Sequence, residues 1–205
     1  PYSSSKSICE NMFNSYNKTF LSIKRNKGVA SVRAGNVIGG GDWGNNRIIP
    51  DFIKSIVNKK KLLIRSPNSI RPWQYILDCL AGYLLIGQNL LEGSTSINNS
   101  WNLGPKNSSN ITVEELVNKC QKIWKNGNIE IRQLNKYRES KYLKLDISKS
   151  KKSLGWKPTY NINDSVSDTI NWYKSYFQNG DVKTKDQLYK DFKISLNQRA
   201  RWILN

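Results

Sequence analysis

A tyrosine and a lysine, Tyr2 and Lys6, stand four residues apart near the start of the chain. In a helix this spacing places the two side chains one turn apart on the same face. A nearby ammonium favours the phenolate form of a tyrosine and lowers its pKa from about 10. Such a pair can move a proton to and from a sugar or alcohol hydroxyl, provided that a redox partner accepts the hydride. The same residues also fit an ordinary helix start, because both types are common in helices.

The sequence contains no histidine. This excludes Ser-His-Asp and Cys-His catalysis and the common histidine metal sites, and we predict no metal site. The three cysteines, Cys9, Cys79 and Cys120, lie far apart, contain no zinc-type C-x-x-C and provide no disulfide framework. A reduced, cytoplasmic setting is the simplest interpretation. The lack of other proton shuttles strengthens the case for Tyr2 and Lys6.

The composition is strongly basic, with 33 Lys and Arg against 15 Asp and Glu and a formal net charge of +18. This charge suits an anionic partner, but the lysines are scattered, so we expect nucleic acid not to be the main partner. No apolar run approaches the roughly 20 residues of a membrane span, and no signal peptide opens the chain, so we expect no membrane partner. The chain begins inside a motif without an initiator methionine, and we therefore interpret it as a fragment.

The apolar residues follow helical and strand periods in alternation along most of the chain. A helix is predicted from 3 to about 24, followed by a short buried strand at 29–33. A long helix directly followed by a buried strand is typical of a parallel α/β sheet, whose ligands lie at the carboxyl ends of its strands. Thr112 and Glu115 form a capping-box pattern that predicts a helix start. We predict further helices at 51–59, 78–91, 148–154 and 163–177, and strands or extended segments at 62–65, 71–76, 100–105 and 129–132.

A glycine-rich segment at 34–50 follows the first predicted strand. Its glycines permit tight backbone paths and close approach to a ligand. Within it, Asn36 offers a hydrogen-bond donor and an acceptor, and Arg47 can bind a phosphate. Arg71 is a second phosphate candidate, because a guanidinium matches phosphate oxygens, although a surface salt bridge is the favoured explanation of this residue taken alone. The dinucleotide fingerprint G-x-G-x-x-G occurs nowhere in the sequence.

Several short motifs occur together in one order and spacing. They are Tyr2-x-x-x-Lys6, Arg33-Ala34-Gly35-Asn36-Val37-Ile38-Gly39, Arg71-Pro72-Trp73-Gln74, Trp101-Asn102-Leu103-Gly104, Leu143-Lys144-Leu145-Asp146, Leu154-Gly155-Trp156-x-Pro158 and Trp172-Tyr173. Together they resemble the carboxy-terminal part of extended short-chain dehydrogenases/reductases that act on nucleotide sugars. The run Gly39-Gly40-Gly41-Asp42-Trp43 is narrower and most resembles the members of this family that dehydrate CDP-glucose. The resemblance extends from Pro1 to about Tyr189.

The resemblance implies an α/β fold: the carboxy-terminal portion of a Rossmann-type parallel sheet plus a smaller mixed α/β substrate-binding lobe. Residues 1–35 would end the dinucleotide-binding domain. Residues 36–180 would form mainly the substrate-binding lobe, with segments that return to the Rossmann sheet, and 181–205 a charged tail. The resemblance also implies a homo-oligomer when the protein is full length.

The resemblance further implies the cofactor NAD and the substrate CDP-glucose. The cofactor would take a hydride from C4 of the glucose while Tyr2 takes the hydroxyl proton. Water then leaves across C5 and C6 and the hydride returns to C6, which gives a 4-keto-6-deoxy sugar on CDP. The elimination acid and base and the glycine-rich fingerprint belong to the amino-terminal half of such enzymes, so we expect this chain alone to be inactive. The implied site residues are Tyr2, Lys6 and Arg33 for the cofactor, and Asn36, Arg47, Arg71 and Arg138 for the substrate; the family usually has a histidine where Arg138 stands.

Two alternatives remain open at this stage. Other extended reductases, namely dTDP- or GDP-sugar dehydratases and 4-epimerases, share the Tyr-x-x-x-Lys pair. The basic charge also permits a non-catalytic nucleotide-sugar or nucleic-acid binder, which a strong salt-dependent affinity for oligonucleotides would reveal.

Overall fold

A computed structural model of the chain describes residues 2–21, 28–131, 140–180, 185, 186, 188–190 and 193. Its α-helices are α1 (Tyr2–Tyr16), α2 (Ile48–Val57), α3 (Ile76–Leu91), α4 (Val113–Trp124), α5 (Ser148–Ser153) and α6 (Ile162–Asn179). Its strands are β1 (Ser31–Ala34), β2 (Asn36–Ile38), β3 (Lys61–Ile64), β4 (Ile70–Tyr75), β5 (Ser100–Leu103), β6 (Asn110–Thr112) and β7 (Asn128–Ile131).

The strands pair mostly in parallel. β1 lies parallel to β5, β3 to β7 and β2 to β4, while β6 runs antiparallel on the other side of β4. Parallel neighbours must be joined by crossover connections, and α2, α3 and α4 provide them. The predicted α/β fold class is therefore confirmed. No helix of the described residues is long and apolar enough to cross a membrane.

The buried side chains form two clusters. The larger cluster joins α2, α4 and α6 to β2, β3 and β4, and Phe52, Leu116 and Val166 are fully buried in it. The smaller cluster joins α3 to β5 around Trp101 and Trp156. Apolar burial in these two clusters, which contributes about 25 cal/mol per Å², holds their helices against their strands.

A buried carboxylate fixes α3 to the segment that precedes α6. Asp78 lies in the first turn of α3 and is 1% exposed. Its two oxygens accept hydrogen bonds from the backbone N–H groups of Thr159 and Tyr160, at 2.9 and 3.0 Å. Charge-assisted bonds of this kind are stronger than neutral ones, so this contact aligns α6 with the strands that α3 follows.

The capping-box prediction for α4 is confirmed. The backbone N–H of Glu115 donates to Thr112 Oγ1 at 3.1 Å, and the N–H of Thr112 donates to Glu115 Oε2 at 2.7 Å. The Thr112 N–H first, and then the Thr112 hydroxyl, which also donates to Oε2, lower the pKa of the Glu115 carboxyl. The reciprocal bonds satisfy two donors that the first turn of a helix otherwise leaves without partners.

Several boundaries differ from the predictions. The first α-helix ends at Tyr16 and continues as a π-helical turn over Asn17–Leu21; residues 22–24 of the predicted helix lie outside the described part. α2 begins at Ile48, two residues before its proline, because proline fits the first turn of a helix, where no N–H partner is lost. The three-residue strands β2 and β6 were not predicted, since three residues are too few to show a period.

Candidate functional site

A cavity of about 490 Å³, called here the central cavity, brings together three of the predicted substrate-binding residues. Asn36 enters its wall from β2, Arg47 from the start of α2 and Arg71 from β4. Gly35 and Gly39, which directly follow β1 and β2, also line it. The cavity therefore lies beside the carboxyl ends of β1 and β2, each of which belongs to a parallel pair, and α/β sheets commonly bind ligands at such ends.

Arg47 precedes the first turn of α2 and is 67% exposed at its side chain. Its Nη1 donates to both carboxylate oxygens of Asp42, at 3.1 and 3.0 Å. A helix amino terminus carries partial positive charge and a guanidinium presents further donors. This end of the cavity therefore suits an anionic group such as a phosphate.

Arg71 reaches the cavity from β4, whose neighbour β6 fixes the strand in register. Its Nη1 donates to the backbone carbonyls of Ile70 at 2.9 Å and Ser140 at 2.8 Å. The indole N–H of Trp73 donates to the carbonyl of Ile111 at 3.0 Å and secures the same strand pair. The Arg71 guanidinium is thus oriented by backbone contacts while it lines the cavity.

Helix α6 fixes the glycine-rich loop at 39–44 from one side. The Tyr173 hydroxyl donates to the backbone carbonyl of Asp42 at 2.6 Å. The Trp172 ring covers Gly40 so closely that a Cβ there would overlap it. Trp43 packs edge-on against Tyr173, with ring centroids 5.3 Å apart. Burial chiefly, together with the Asp42 charge, raises the pKa of Tyr173 to about 12, so its hydroxyl stays protonated and able to donate.

Helix α2 fixes the same loop from the other side. The Lys54 ammonium donates to the carbonyl of Trp43 at 2.9 Å and to Asn45 Oδ1 at 2.6 Å. The N–H of Gly44 donates to Asp42 Oδ1 at 2.9 Å and closes a tight turn. The Asp42 carboxylate is consequently held at one place beside Arg47.

Tyr2 and Lys6 lie in the first two turns of α1. Their helical spacing is as predicted, and the Lys6 side chain is exposed. The Tyr2 side chain lies outside what the structure describes, and Lys6 is not one of the described residues that line the central cavity. The approach of this pair to a bound sugar stays a prediction.

Arg33 lies on β1 and contacts Glu10 of α1. Its Nη2 and Nε donate to the two carboxylate oxygens at 2.7 and 2.9 Å, and the hydroxyls of Ser31 and Ser100 donate to the same carboxylate at 2.7 Å each. The Arg33 hydrogen bond is the main reason that the pKa of Glu10 falls to about 2. Arg33 therefore anchors α1 to the β1–β5 pair, and its cofactor role stays a prediction. Arg138 lies outside the described residues.

Asp42 was missed as a site residue at the level of sequence. It lines the central cavity and pairs with Arg47, five positions further on. The sequence did show a carboxylate and a guanidinium on either side of the glycine turn. Sequence alone cannot distinguish such a pair from two separately solvated charges.

The described glycine-rich loop does not fit the pyrophosphate of a dinucleotide such as NAD. Gly39 and Gly40 pack against Ile76 and Trp172, and Gly41 also contacts Trp172. These glycines of the described loop thus face protein side chains and leave no open cradle for a cofactor pyrophosphate. Contact of the Tyr2–Lys6 pair with a nicotinamide ribose stays a prediction. Among the described residues no group of three or more Cys, Asp or Glu side chains is placed to hold a metal ion.

Comparisons with known proteins agree on one family. The family model described as GDP-mannose 4,6 dehydratase matches residues 1–169. The CDP-glucose 4,6-dehydratase of Salmonella typhimurium is 37% identical over 187 residues, which cover 89% of this chain and 52% of that protein. The chain thus spans about half the length of this curated relative.

Solved structures share the fold at lower identity. The dTDP-glucose 4,6-dehydratase from Bacillus anthracis, in complex with NAD, superposes with a TM-score of 0.69 at 22% identity, covering 85% of this chain and 52% of that one. The UDP-glucuronic acid 4-epimerase from Bacillus cereus, in complex with UDP-glucuronic acid and NAD, gives 0.68 at 21% identity, covering 81% and 50%. At these identities the likeness establishes the α/β fold.

Proposed function

Because this chain belongs to the GDP-mannose 4,6 dehydratase family, we propose that it forms part of an NAD-dependent sugar-nucleotide 4,6-dehydratase whose substrate is CDP-glucose. The observation that carries the proposal is the convergence of Asn36, Arg47 and Arg71 on the central cavity. The choice of CDP-glucose is supported by the 37% identity to a CDP-glucose 4,6-dehydratase.

In this proposal the central cavity binds the diphosphate of the nucleotide sugar. Arg47 and Arg71 supply guanidinium donors that match phosphate oxygens, and the Asn36 amide supplies a further donor. The sugar takes no part in these contacts with the diphosphate. The binding energy of the nucleotide is therefore available to position the sugar for reaction.

The proton chemistry belongs to Tyr2 and Lys6. When bound, NAD would be the oxidant that accepts the hydride from sugar C4 and returns it to C6. Tyr2 takes the proton from the C4 hydroxyl, and Lys6 favours the phenolate that this requires and contacts the nicotinamide ribose. The resulting ketone makes the C5 proton acidic, so that water leaves across C5 and C6, and a proton returns to C5 when the hydride returns to C6. The net change is loss of one water, and the elimination acid and base are supplied from outside this chain.

The proposal also divides the chain by role. Residues 1–35, with Arg33, complete a dinucleotide-binding domain, residues 36–180 form mainly the substrate-binding lobe and residues 181–205 a charged tail. Arg138 contacts the substrate, and the full-length protein assembles as a homo-oligomer. We place the activity in the cytoplasm, because Cys9, Cys79 and Cys120 are free thiols.

The test is product analysis with a polypeptide that joins this chain to the coding sequence upstream of Pro1. With NAD present we expect CDP-glucose to lose one water by mass and to form a 4-keto sugar, faster than UDP-glucose, dTDP-glucose or GDP-mannose. Tyr2→Phe should lower kcat by roughly 10²- to 10⁴-fold, the usual contribution of a positioned acid–base group. Tyr16→Phe, on the exposed face of the same helix, is the matched control and should retain full activity.

Each other outcome has a defined meaning. Full activity of Tyr2→Phe would remove Tyr2 from the mechanism. A C4 epimer with no loss of water would indicate a 4-epimerase, whose solved representatives share this fold. Binding of oligonucleotides that CDP-glucose does not displace would indicate a nucleic-acid binder.

A further inference from the structure

The wall of the central cavity includes a negatively charged side chain, that of Asp42. The Asp42 carboxylate lines the cavity and accepts two hydrogen bonds from Arg47 Nη1, at 3.1 and 3.0 Å. A phosphate that binds Arg47 must therefore approach a guanidinium that already has a negative neighbour.

We propose that Asp42 is a specificity-determining residue: its carboxylate occupies Arg47 as an internal counter-ion until a more highly charged ligand displaces it. The inference rests on the proposed function, because displacement matters only if an anionic ligand binds at Arg47.

The relative strengths of the two interactions favour displacement by a diphosphate. The Arg47 side chain is 67% exposed and that of Asp42 32% exposed, and exposed ion pairs contribute little stability. A diphosphate carries more charge than one carboxylate and can bridge Arg47 and Arg71, which line the same cavity. A singly charged ligand gains no such advantage over Asp42, so the pair discriminates against weakly charged anions.

The Asp42 carboxylate stays near the cavity when Arg47 leaves it, because other contacts hold its loop. The Gly44 N–H donates to Asp42 Oδ1 at 2.9 Å, and the Tyr173 hydroxyl donates to the Asp42 carbonyl at 2.6 Å. The Trp172 ring covers Gly40 in the same loop. These contacts hold the backbone of the loop, so that α6 positions the counter-ion even when Arg47 turns towards a ligand.

Binding of inorganic pyrophosphate and orthophosphate to the 205-residue chain, measured by titration calorimetry, tests the proposal. Asp42→Asn removes the charge but keeps the Oδ1 acceptor for Gly44. We expect it to tighten pyrophosphate binding by about two- to fivefold, the range for loss of an exposed ion pair, and to reduce the preference for pyrophosphate over orthophosphate. In an Arg47→Gln background the same substitution should have no effect.

Asp51→Asn is the matched control, because Asp51 lies in the first turn of α2 but lines a different groove with Lys54 and Arg65. It removes the same charge, and we expect less than a twofold change. The proposal is overturned if Asp42→Asn binds pyrophosphate no tighter than the parent chain, if Asp51→Asn produces an equal gain, or if neither the parent nor Asp42→Asn binds pyrophosphate.

The outcomes separate this inference from the function. Tighter binding by Asp42→Asn, together with no conversion of CDP-glucose by the polypeptide that includes the upstream sequence, would support the counter-ion and refute the dehydratase. Unchanged binding by Asp42→Asn, with loss of binding by Arg47→Gln and normal conversion, would refute the counter-ion alone.

Discussion

Helices α1 and α4 follow the same apolar period but differ in what covers them. In α4 the apolar residues Leu116, Val117 and Cys120 are at most 1% exposed. In α1 and its π-helical extension, apolar residues spaced four apart form a stripe in which each is more than half exposed: Ile8, Met12, Tyr16 and Phe20. The period therefore specifies a helix and its apolar face, whereas burial depends on the surrounding chain.

The contacts that hold the two helices also differ. α4 is held by the larger apolar cluster, whereas α1 is joined to the β1–β5 pair through Glu10, which contacts Arg33, Ser31 and Ser100. The site follows the same division. The central cavity is lined by elements with a buried core, while Lys6 lies on the exposed helix.

The largest loss of stability is expected from Leu116→Ala, a substitution in the buried face of α4. Leu116 is fully buried in the larger cluster, and its truncation leaves a cavity among α2, α4 and α6. We expect the free energy of unfolding in urea to fall by about 3 kcal/mol. The matched control is Leu84→Ala within α3, where the side chain is 68% exposed, and it should change stability by less than about 0.5 kcal/mol. Equal losses from the two variants would contradict the difference in burial.

The sequence could predict the buried elements well, for physical reasons. The capping box of Thr112 and Glu115 is a local interaction, so it can be recognised from four residues. Asn36 and Arg47 could be singled out because they lie in a glycine-rich segment that follows a buried strand, and Arg71 because a guanidinium matches phosphate oxygens. Their actual convergence depends on the pairing of β2 with β4 and on the packing of α2 against β3, which no local pattern contains.

Other features could not be predicted. The contact of Arg33 with Glu10 joins residues 23 positions apart and depends on where α1 settles on the sheet. The pair of Asp42 with Arg47 depends on the turn at Gly44 and on Tyr173, which is 131 residues from Asp42. Long-range contacts of this kind decide which charges are solvated and which form a site.

An intermediate effect is expected from Glu10→Gln, which weakens the polar anchor of α1. The folded pKa of Glu10 is lowered from 4.5 to about 2, mainly by the Arg33 hydrogen bond. A lowered pKa means that the carboxylate stabilises the fold above about pH 4.5 and loses this contribution as the pH falls towards 2. Because Arg33 is 46% exposed, we expect a loss of only about 1 kcal/mol at neutral pH.

The check on Glu10 is a pair of urea titrations, at neutral pH and near pH 3. The difference in stability between the parent chain and Glu10→Gln should shrink at the lower pH. Glu92→Gln is the control, because the Glu92 carboxylate accepts a hydrogen bond from the neutral amide of Gln88, and its effect should be smaller at neutral pH. A difference for Glu10→Gln that grows on acidification would show that the sign assigned to its pKa shift is wrong.

The smallest effect is expected from Met12→Gln in the exposed stripe of α1. Methionine and glutamine have similar helix propensities, so the substitution changes polarity with little change in the helix itself. Because Met12 is 57% exposed, replacing it costs little burial, and we expect the free energy of unfolding to change by less than about 0.5 kcal/mol. Leu116→Gln places the same amide in the buried face of α4 and should destabilise by several-fold more than Met12→Gln, since an unsatisfied buried polar group adds about 1–3 kcal/mol to the lost packing. If Met12→Gln instead lowered stability by more than about 1 kcal/mol, the stripe would have to be covered in solution, and the two helices would not differ in the way their exposures indicate.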